Sequence, residues 1–320
     1  ANGDSRWPWT LVASGYESNP VSAEEPHNWA FFPLFPILVR LVGGTIEGGV
    51  LAANIAAFAA VWILVREVRE VASGSAARWT ALFVLYWPMS GMLSTYRPES
   101  LLLLFAVLTW VFARRGHWWL AWIAVALATM ARSQGFLVVL LMIDPIWAQR
   151  DQLRRHPWPL ILGAAFPLLA LGAFSLHLWD LTGDPLAWSH IQAAWNRTAI
   201  DPTQLVENYW PLPFVGSEGW DFAFFNLLVV GLVVATSLLM LRARRPGFAI
   251  FSLAWMALPV LFGATLMALG RYATTLFPVA MTLASTRALR RYRLMILLVM
   301  ASLLFGVGSW LSLGLRPLMP

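Results

Sequence analysis

Long apolar runs separated by short arginine-rich connections are the feature of this sequence that most limits its fold. A helix that crosses the hydrocarbon core of a bilayer, about 30 Å thick, needs roughly 17–25 predominantly apolar residues. The pattern predicts an all-α polytopic membrane protein, organised as one transmembrane domain over residues 1–320. The ten predicted spans, several of which are short or contain proline, are 47–65, 76–93, 98–113, 117–131, 134–149, 158–178, 222–241, 247–268, 271–286 and 294–314.

The composition supports a membrane location and argues against other classes. The chain is 59% hydrophobic and 12% charged, whereas a soluble domain carries about 25% charged residues. The net charge of +6 does not indicate nucleic-acid binding, because the arginines lie in short runs between apolar spans, a pattern that orients membrane proteins. The absence of cysteine excludes disulfides and thiolate metal sites.

The arginine distribution predicts the orientation in the membrane. If residues 1–46 lie outside the cytoplasm, 15 of the 22 basic residues, all of them arginine, fall on the cytoplasmic side, as the positive-inside rule requires. They are the arginines at positions 66, 69, 78, 114, 115, 150, 154, 155, 242, 244, 245, 287, 290, 291 and 293. Most acidic residues then lie in two large outer loops, 1–46 and 179–221.

The two outer loops are expected to rest on the bilayer as short amphipathic helices, because they are rich in tryptophan, proline and acidic residues. The segment "PLAWSHIQAAWNR" (185–197) has apolar residues at helical spacing and fits an interfacial helix. The segment "HNWAFFPLFPILVR" (27–40) is apolar, but its prolines prevent a regular transmembrane helix, and we interpret Arg40 as interfacial. The chain begins without Met, a signal peptide or a span, so we expect a further helix to precede it.

Three arginines on the predicted outer side stand at the ends of spans. They are Arg97 in "STYRPESL", Arg132 in "MARSQG" and Arg271 in "ALGRYATTLFP". Ionisable residues in such positions are functional-site candidates, and the planar fork of arginine binds phosphate well. We expect the three to converge on a lipid-linked phosphate or pyrophosphate. The alternative is that each side chain only extends to the membrane interface.

The acidic residues of the outer side offer candidate catalytic groups. Asp4, in "NGDSRWPW", could act as a general base for a sugar hydroxyl, although an exposed loop aspartate is more often only solvated. Glu99 either supports the start of a helix or lines the same cavity as the arginines. Glu24, Glu25 and His27 are of metal-ligating types, but "EEPH" is not a recognised metal-binding spacing, so no metal site is predicted.

Four segments follow one another along the chain: "GYESNPVSAEEPHNWAFFPLFPILVR" (15–40), "PMSGMLSTYRPESLLLLFA" (88–106), "ATMARSQGFL" (128–137) and "GRYATTLFP" (270–278). In this order they resemble segments of the GPI mannosyltransferase 2 (PIG-V type) family. In that family an aspartate precedes "GY" at the spacing seen here between Asp4 and Gly15. The resemblance covers almost the whole chain.

The resemblance implies a GT-C glycosyltransferase, a multispanning enzyme of the cell membrane whose active site lies on the extracytoplasmic face. It implies a polyprenyl-phosphate sugar as donor, with mannose favoured and arabinose or glucose left open, and a glycolipid or cell-envelope glycan as acceptor. Asp4 would be the catalytic base of an inverting transfer, and no metal or cofactor is expected. The implied donor contacts are Arg97, Glu99, Arg132, Arg271, Tyr96 and Tyr272, and Glu24, Glu25 and His27 are the acceptor or loop contacts considered.

The runner-up interpretation is a transporter or flippase for lipids or solutes. Such proteins often contain inverted repeats and helices broken near the middle of the membrane. This sequence shows no repeat, and its charged residues lie at the ends of spans. Those observations favour the transferase, whose partners would be membrane lipids and a glycan rather than nucleic acid.

Overall fold

The computed structural model describes residues 6–19, 25–195, 220–261 and 269–312, and all regular secondary structure in these ranges is helical, as predicted. The α-helices are α1 (Arg6–Ser14), α2 (Leu34–Leu41), α3 (Ile46–Val71), α4 (Gly74–Leu85), α5 (Glu99–Arg114), α6 (Trp118–Ala131), α7 (Ile143–Ala148), α8 (Arg150–Arg155), α9 (Trp158–Gly163), α10 (Ala165–Thr182), α11 (Ala187–His190), α12 (Trp220–Arg242), α13 (Pro246–Leu261), α14 (Leu269–Tyr272), α15 (Phe277–Ser285) and α16 (Arg293–Ser312). Short 3-10 segments are Asn28–Ala30, Ser90–Ser94, Ser133–Met142, Ile191–Trp195, Ala273–Thr275 and Arg287–Tyr292.

Helical segments occupy each of the ten predicted spans, but their lengths differ. Of the described helices, three are long and apolar enough to cross a membrane: Ile46–Val71, Trp158–Thr182 and Phe225–Arg242. The predicted span 76–93 is shorter than expected, because α4 ends at Leu85, shortly before Pro88, which cannot donate a helical hydrogen bond. The predicted span 134–149 begins as a 3-10 segment and becomes α-helical only in α7.

Helix α3 shows how the sequence divides protein-facing from lipid-facing surface. Its buried face is built from small residues such as Ala53 and Ala60, which let α4 and α5 pack closely against it. Its opposite face carries large apolar side chains, and Phe58 and Trp62 stack on each other while remaining 70% and 65% exposed. An exposed aromatic face of this kind is suited to contact with lipid.

The α5–α6 hairpin is fastened at its predicted cytoplasmic end by a cluster of charges. Glu67 of α3 is 2% exposed and accepts hydrogen bonds from both Arg114 and Arg115. The half-exposed Glu70 also pairs with the two arginines. The amide of Gln149 donates to a carbonyl oxygen at the end of α5, at 2.9 Å, and so ties the next connection to the same place.

The first outer loop is held by a side chain that we had interpreted as interfacial. Arg40 of α2 donates through Nε to the carbonyl oxygen of Val12 at 3.0 Å and through Nη2 to that of Leu11 at 2.7 Å. Both carbonyls lie in the last turn of α1, and that of Leu11 also accepts a hydrogen bond from the Gly15 N–H. The cation of Arg40 is favourable here because the C-terminal end of a helix carries a partial negative charge. Arg40 therefore holds α1 against α2.

A second apolar core joins the two outer loops. Trp29 and Phe32 of the first loop pack with Phe174, Leu178 and Ile191 of α10 and the segment that follows it. Of the interfacial helix predicted over 185–197, the described part is α11 and the 3-10 segment after it. The first loop is therefore anchored on both sides, by Arg40 and by this core.

We predict that Gly135→Ala destabilises the fold. A Cβ at this buried position would overlap the carbonyl oxygen of Ala128, at the turn that follows α6. We expect a loss of about 1–3 kcal/mol in the free energy of unfolding in detergent. The control is Gly172→Ala in α10, where a Cβ would meet nothing within 4 Å and should be neutral or stabilise by up to about 1 kcal/mol. Equal effects of the two substitutions would contradict this prediction.

Candidate active site

The site is created by the antiparallel packing of α5 and α6. These helices are joined by a short turn and contact each other along their length. The start of α5 therefore lies beside the end of α6, which brings Glu99 next to Arg132, the residue that follows α6. Helix α14, which contains Arg271 and Tyr272, supplies the third side.

One carboxylate oxygen organises the two arginines. Arg132 Nη1 donates to Glu99 Oε1 at 3.0 Å, and Arg271 Nε lies 2.9 Å from the same oxygen. Glu99 and Arg271 are almost inaccessible, at 1% and 4% exposure. Arg132 also donates through Nη2 to the Tyr272 hydroxyl at 2.7 Å, and its guanidinium lies 4.4 Å from the centre of that ring. The structure thus brings together four of the predicted site residues in one buried network.

The charge of this network suits an anionic ligand. Arg97, whose side chain lines the same cleft, also attracts the Glu99 carboxylate electrostatically. Three guanidinium groups and one carboxylate give a net charge of +2. Arginines held in fixed orientation by a buried carboxylate lose little conformational freedom when they bind phosphate, which strengthens recognition.

The charged network lines a solvent-open cleft with about 620 Å³ of empty space. The opposite wall is apolar and comes from the proline-broken segment 27–40, with Phe31, Phe35 and Pro36, and from Pro8 of α1. A cationic end beside an apolar wall can accommodate a phosphate ester that carries an apolar chain. The wall is a role for 27–40 that the sequence pattern did not predict.

Ser133 is a further lining residue that the sequence reasoning missed. It follows Arg132 in the "RSQG" motif, so its adjacency to a predicted site residue was the available signal. Its hydroxyl offers a donor and an acceptor at the edge of the arginine network.

Tyr96 is not among the residues that line the cleft but packs behind one of them. Its ring meets Phe35 edge-on, with ring centroids 5.2 Å apart, and lies 6.4 Å from Trp9. A side chain on Gly49 would overlap this ring, so the glycine allows the approach. Burial raises the pKa of Tyr96 to about 12, which keeps the phenol neutral near pH 7. Tyr96 supports the apolar wall from behind, and donor contact by this residue stays a prediction.

The remaining predicted residues lie outside the network or outside the described ranges. Asp4 and Glu24 fall in segments that the structure does not describe. Glu25 is exposed. His27 Nδ1 lies 2.5 Å from Glu17 Oε2, and its ring stacks on Trp29 with centroids 4.3 Å apart. His27 is therefore engaged in the structure of the first outer loop, and its predicted contact with the acceptor stays a prediction.

Comparison with solved structures identifies the class of this fold. The structure matches that of ArnT from Cupriavidus metallidurans bound to undecaprenyl phosphate, with a TM-score of 0.55, 17% identity, and coverage of 93% of this chain and 58% of that chain. This match, with the all-helical architecture, shows the GT-C polytopic membrane fold, and the predicted fold class is confirmed.

Sequence comparison finds a similar region in a much longer protein. A probable arabinosyltransferase B of Mycobacterium avium is 28% identical over 280 residues, which cover 78% of this chain. The matched region is 25% of that relative, and the chain spans 58% of the length of ArnT. No model of a known protein family matches the sequence. The structural likeness shows the fold, and the narrower PIG-V type resemblance is not confirmed.

We predict that Glu99→Gln lowers stability sharply. The substitution keeps the volume but leaves Arg132 and the buried Arg271 without a counter-charge, and breaking a buried ion pair costs about 3–5 kcal/mol. The matched control is Glu70→Gln, which also removes a carboxylate paired with two arginines, but at a half-exposed position where such pairs contribute about 0.2–1 kcal/mol. Denaturant titration of the purified variants in detergent measures both. A Glu99→Gln loss no larger than that of Glu70→Gln would show that the network is not organised by this carboxylate.

Proposed function

We propose that this protein is a membrane glycosyltransferase that uses a polyprenyl-phosphate sugar as donor. The observation that carries the proposal is the cleft whose buried arginine network adjoins an apolar wall. The undecaprenyl phosphate named for the ArnT structure and the arabinosyl transfer named for the mycobacterial relative support this class of reaction.

The arginine network would hold the phosphate of the donor. In the diester donor this phosphate carries one negative charge, and when the bond to the sugar breaks the leaving polyprenyl phosphate carries a second. Arg132, Arg271 and Arg97 are placed to stabilise that developing charge, and Glu99 orients the first two. Because cationic side chains supply this stabilisation, we propose that the transfer needs no metal. The polyprenyl chain would lie along the apolar wall formed by Phe31 and Phe35.

Asp4 is our proposed general base. It would take the proton of an acceptor hydroxyl while that oxygen attacks the anomeric carbon, and the bond from this carbon to the phosphate oxygen would break in the same displacement. One displacement inverts the anomeric configuration. The short distance along the chain to the cleft supports this role. Asp4 is four residues from Pro8, which lines the cleft, and four residues span at most about 14 Å.

We propose mannose as the sugar and a glycolipid or cell-envelope glycan as the acceptor, with the cleft on the extracytoplasmic face. The motif order that resembles the PIG-V type family supports mannose. The mycobacterial relative, described as an arabinosyltransferase, makes arabinose the specific alternative. The orientation rests on the arginine distribution, which places the α5–α6 turn with Arg114 and Arg115 inside and the cleft outside.

We predict that Asp4→Asn lowers sugar transfer by about 10²–10⁴-fold, because the amide cannot accept the acceptor proton. The measurement is incorporation of labelled sugar from polyprenyl-phosphate mannose and, in parallel, from polyprenyl-phosphate arabinose, in membranes that contain equal amounts of each variant. Asp151→Asn is the control, since this aspartate is exposed on α8 near the predicted cytoplasmic face. Unchanged transfer in the Asp4 variant would remove this residue from the mechanism.

We predict that Arg132→Ala raises the KM for the donor more than that for the acceptor and lowers kcat/KM by about 10²–10³-fold. Arg271→Ala should behave in the same way, because both guanidinium groups face the same cleft. The control is Arg66→Ala, an exposed arginine of the predicted cytoplasmic side. Steady-state kinetics with donor and acceptor varied in turn make the test. Equal loss toward the two substrates would indicate a structural role for the arginines.

A further inference from the structure

A second cavity lies at the opposite end of the α5–α6 hairpin, opens to solvent and has about 610 Å³ of empty space. One wall is the start of α6, with His117 and Trp119, and the other is the α8–α9 region, with Gln152 and His156. Helix α6 has 14 residues, so this cavity is separated from the arginine network by about 21 Å along the helix. It is a distinct site to which the proposed glycosyl transfer assigns no role.

A tight contact between α6 and α9 lies directly beyond the residues that line the cavity. Trp122 Nε1 donates to the carbonyl oxygen of Leu160 at 2.8 Å, which fastens α9 to α6. Gly163 lies against the Trp122 ring so closely that a side chain there would overlap it. The two helices thus touch beyond the cavity, which lies between the two arginine-rich connections at the predicted cytoplasmic face.

The surroundings of this cavity have an excess of positive charge. Arg114 and Arg115 are neutralised by Glu67 and Glu70. In α8, Arg150 and Arg154 share the single carboxylate of Asp151, at 4.0 and 3.9 Å.

Arg155 is exposed and makes no ion pair with any residue that the structure describes. It directly precedes His156 of the cavity wall and adds a positive charge to the surroundings of the cavity. The two lining imidazoles can donate hydrogen bonds into the cavity.

The residues around the cavity also match a membrane interface. Trp119 and Trp158 are 42% and 64% exposed, and tryptophan concentrates at the level of lipid headgroups. Leu120 and Ile161 follow them on the two helices and are likewise exposed. A ligand in this place would therefore find hydrogen-bond donors at one end and apolar surface at the other.

We propose that this cavity binds the headgroup of an anionic phospholipid from the cytoplasmic leaflet. The phosphate would accept hydrogen bonds from His117 and His156, the positive charge of Arg155 would attract it, and the acyl chains would lie along α6 and α9. Basic pockets between transmembrane helices on the cytoplasmic side are suited to such headgroups, because this leaflet carries the anionic lipids.

This inference is tested by lipid binding to the purified protein in detergent. Phosphatidylglycerol and phosphatidylcholine of equal chain length are titrated separately, and the bound lipid is counted by native mass spectrometry. We expect phosphatidylglycerol to bind more tightly, and the double variant His117→Ala/His156→Ala to weaken its binding by roughly tenfold. Both histidines are exposed, so the substitutions leave the core intact. The control is Arg242→Ala/Arg290→Ala, which removes two exposed arginines from other connections of the same predicted face.

Three results would overturn the inference: equal binding of the two lipids, undiminished phosphatidylglycerol binding by the histidine variant, or a loss just as large in the arginine control. Inorganic phosphate, added at constant ionic strength, separates a lipid site from a simple anion site. Phosphate that displaces the lipid at equal concentration would show that the acyl chains contribute nothing and would also count against the proposal.

Discussion

The buried carboxylate of Glu99 is the interaction on which the outer half of this molecule depends. It stands at the start of α5, and its Oε1 contacts Arg132 at the end of α6 and Arg271 in α14. Without this negative charge the two arginines would repel each other. No attraction would then offset the free energy of removing them from water. The same contact fixes the relative positions of three helices and the direction of the cationic groups that face the cleft.

The second requirement of the cleft is an apolar wall that stays in place at the membrane interface. Segment 27–40 supplies it, and three contacts hold it: Arg40 binds the end of α1, Trp29 lies in the second apolar core, and Phe35 meets the ring of Tyr96. None of these contacts needs a ligand. The wall is therefore formed in advance, which lowers the cost of ordering a long flexible chain beside it.

Periodicity, composition and the order of motifs were sufficient to predict the all-helical membrane fold and the grouping of Arg97, Arg132 and Arg271. The contacts within the site depend on how the helices are aligned in the folded structure. Nothing in the local sequence shows that two arginines share one oxygen of Glu99, because this follows from how α5, α6 and α14 are aligned. Tyr96 directly precedes Arg97, which lines the cleft, but its own side chain packs against Phe35 and Trp9, since adjacent residues face different directions.

Both ends of the α5–α6 hairpin carry a cluster of arginine and glutamate side chains. The ratio of arginine to glutamate differs between the two clusters. At the predicted cytoplasmic end, Glu67 and Glu70 face Arg114 and Arg115, so two carboxylates balance two guanidinium groups. At the other end one carboxylate faces three guanidinium groups lining a cleft. A balanced cluster has no charge left to offer a ligand and serves to join helices. An unbalanced cluster keeps a net positive charge in a desolvated place, which suits it to the anionic donor that we propose.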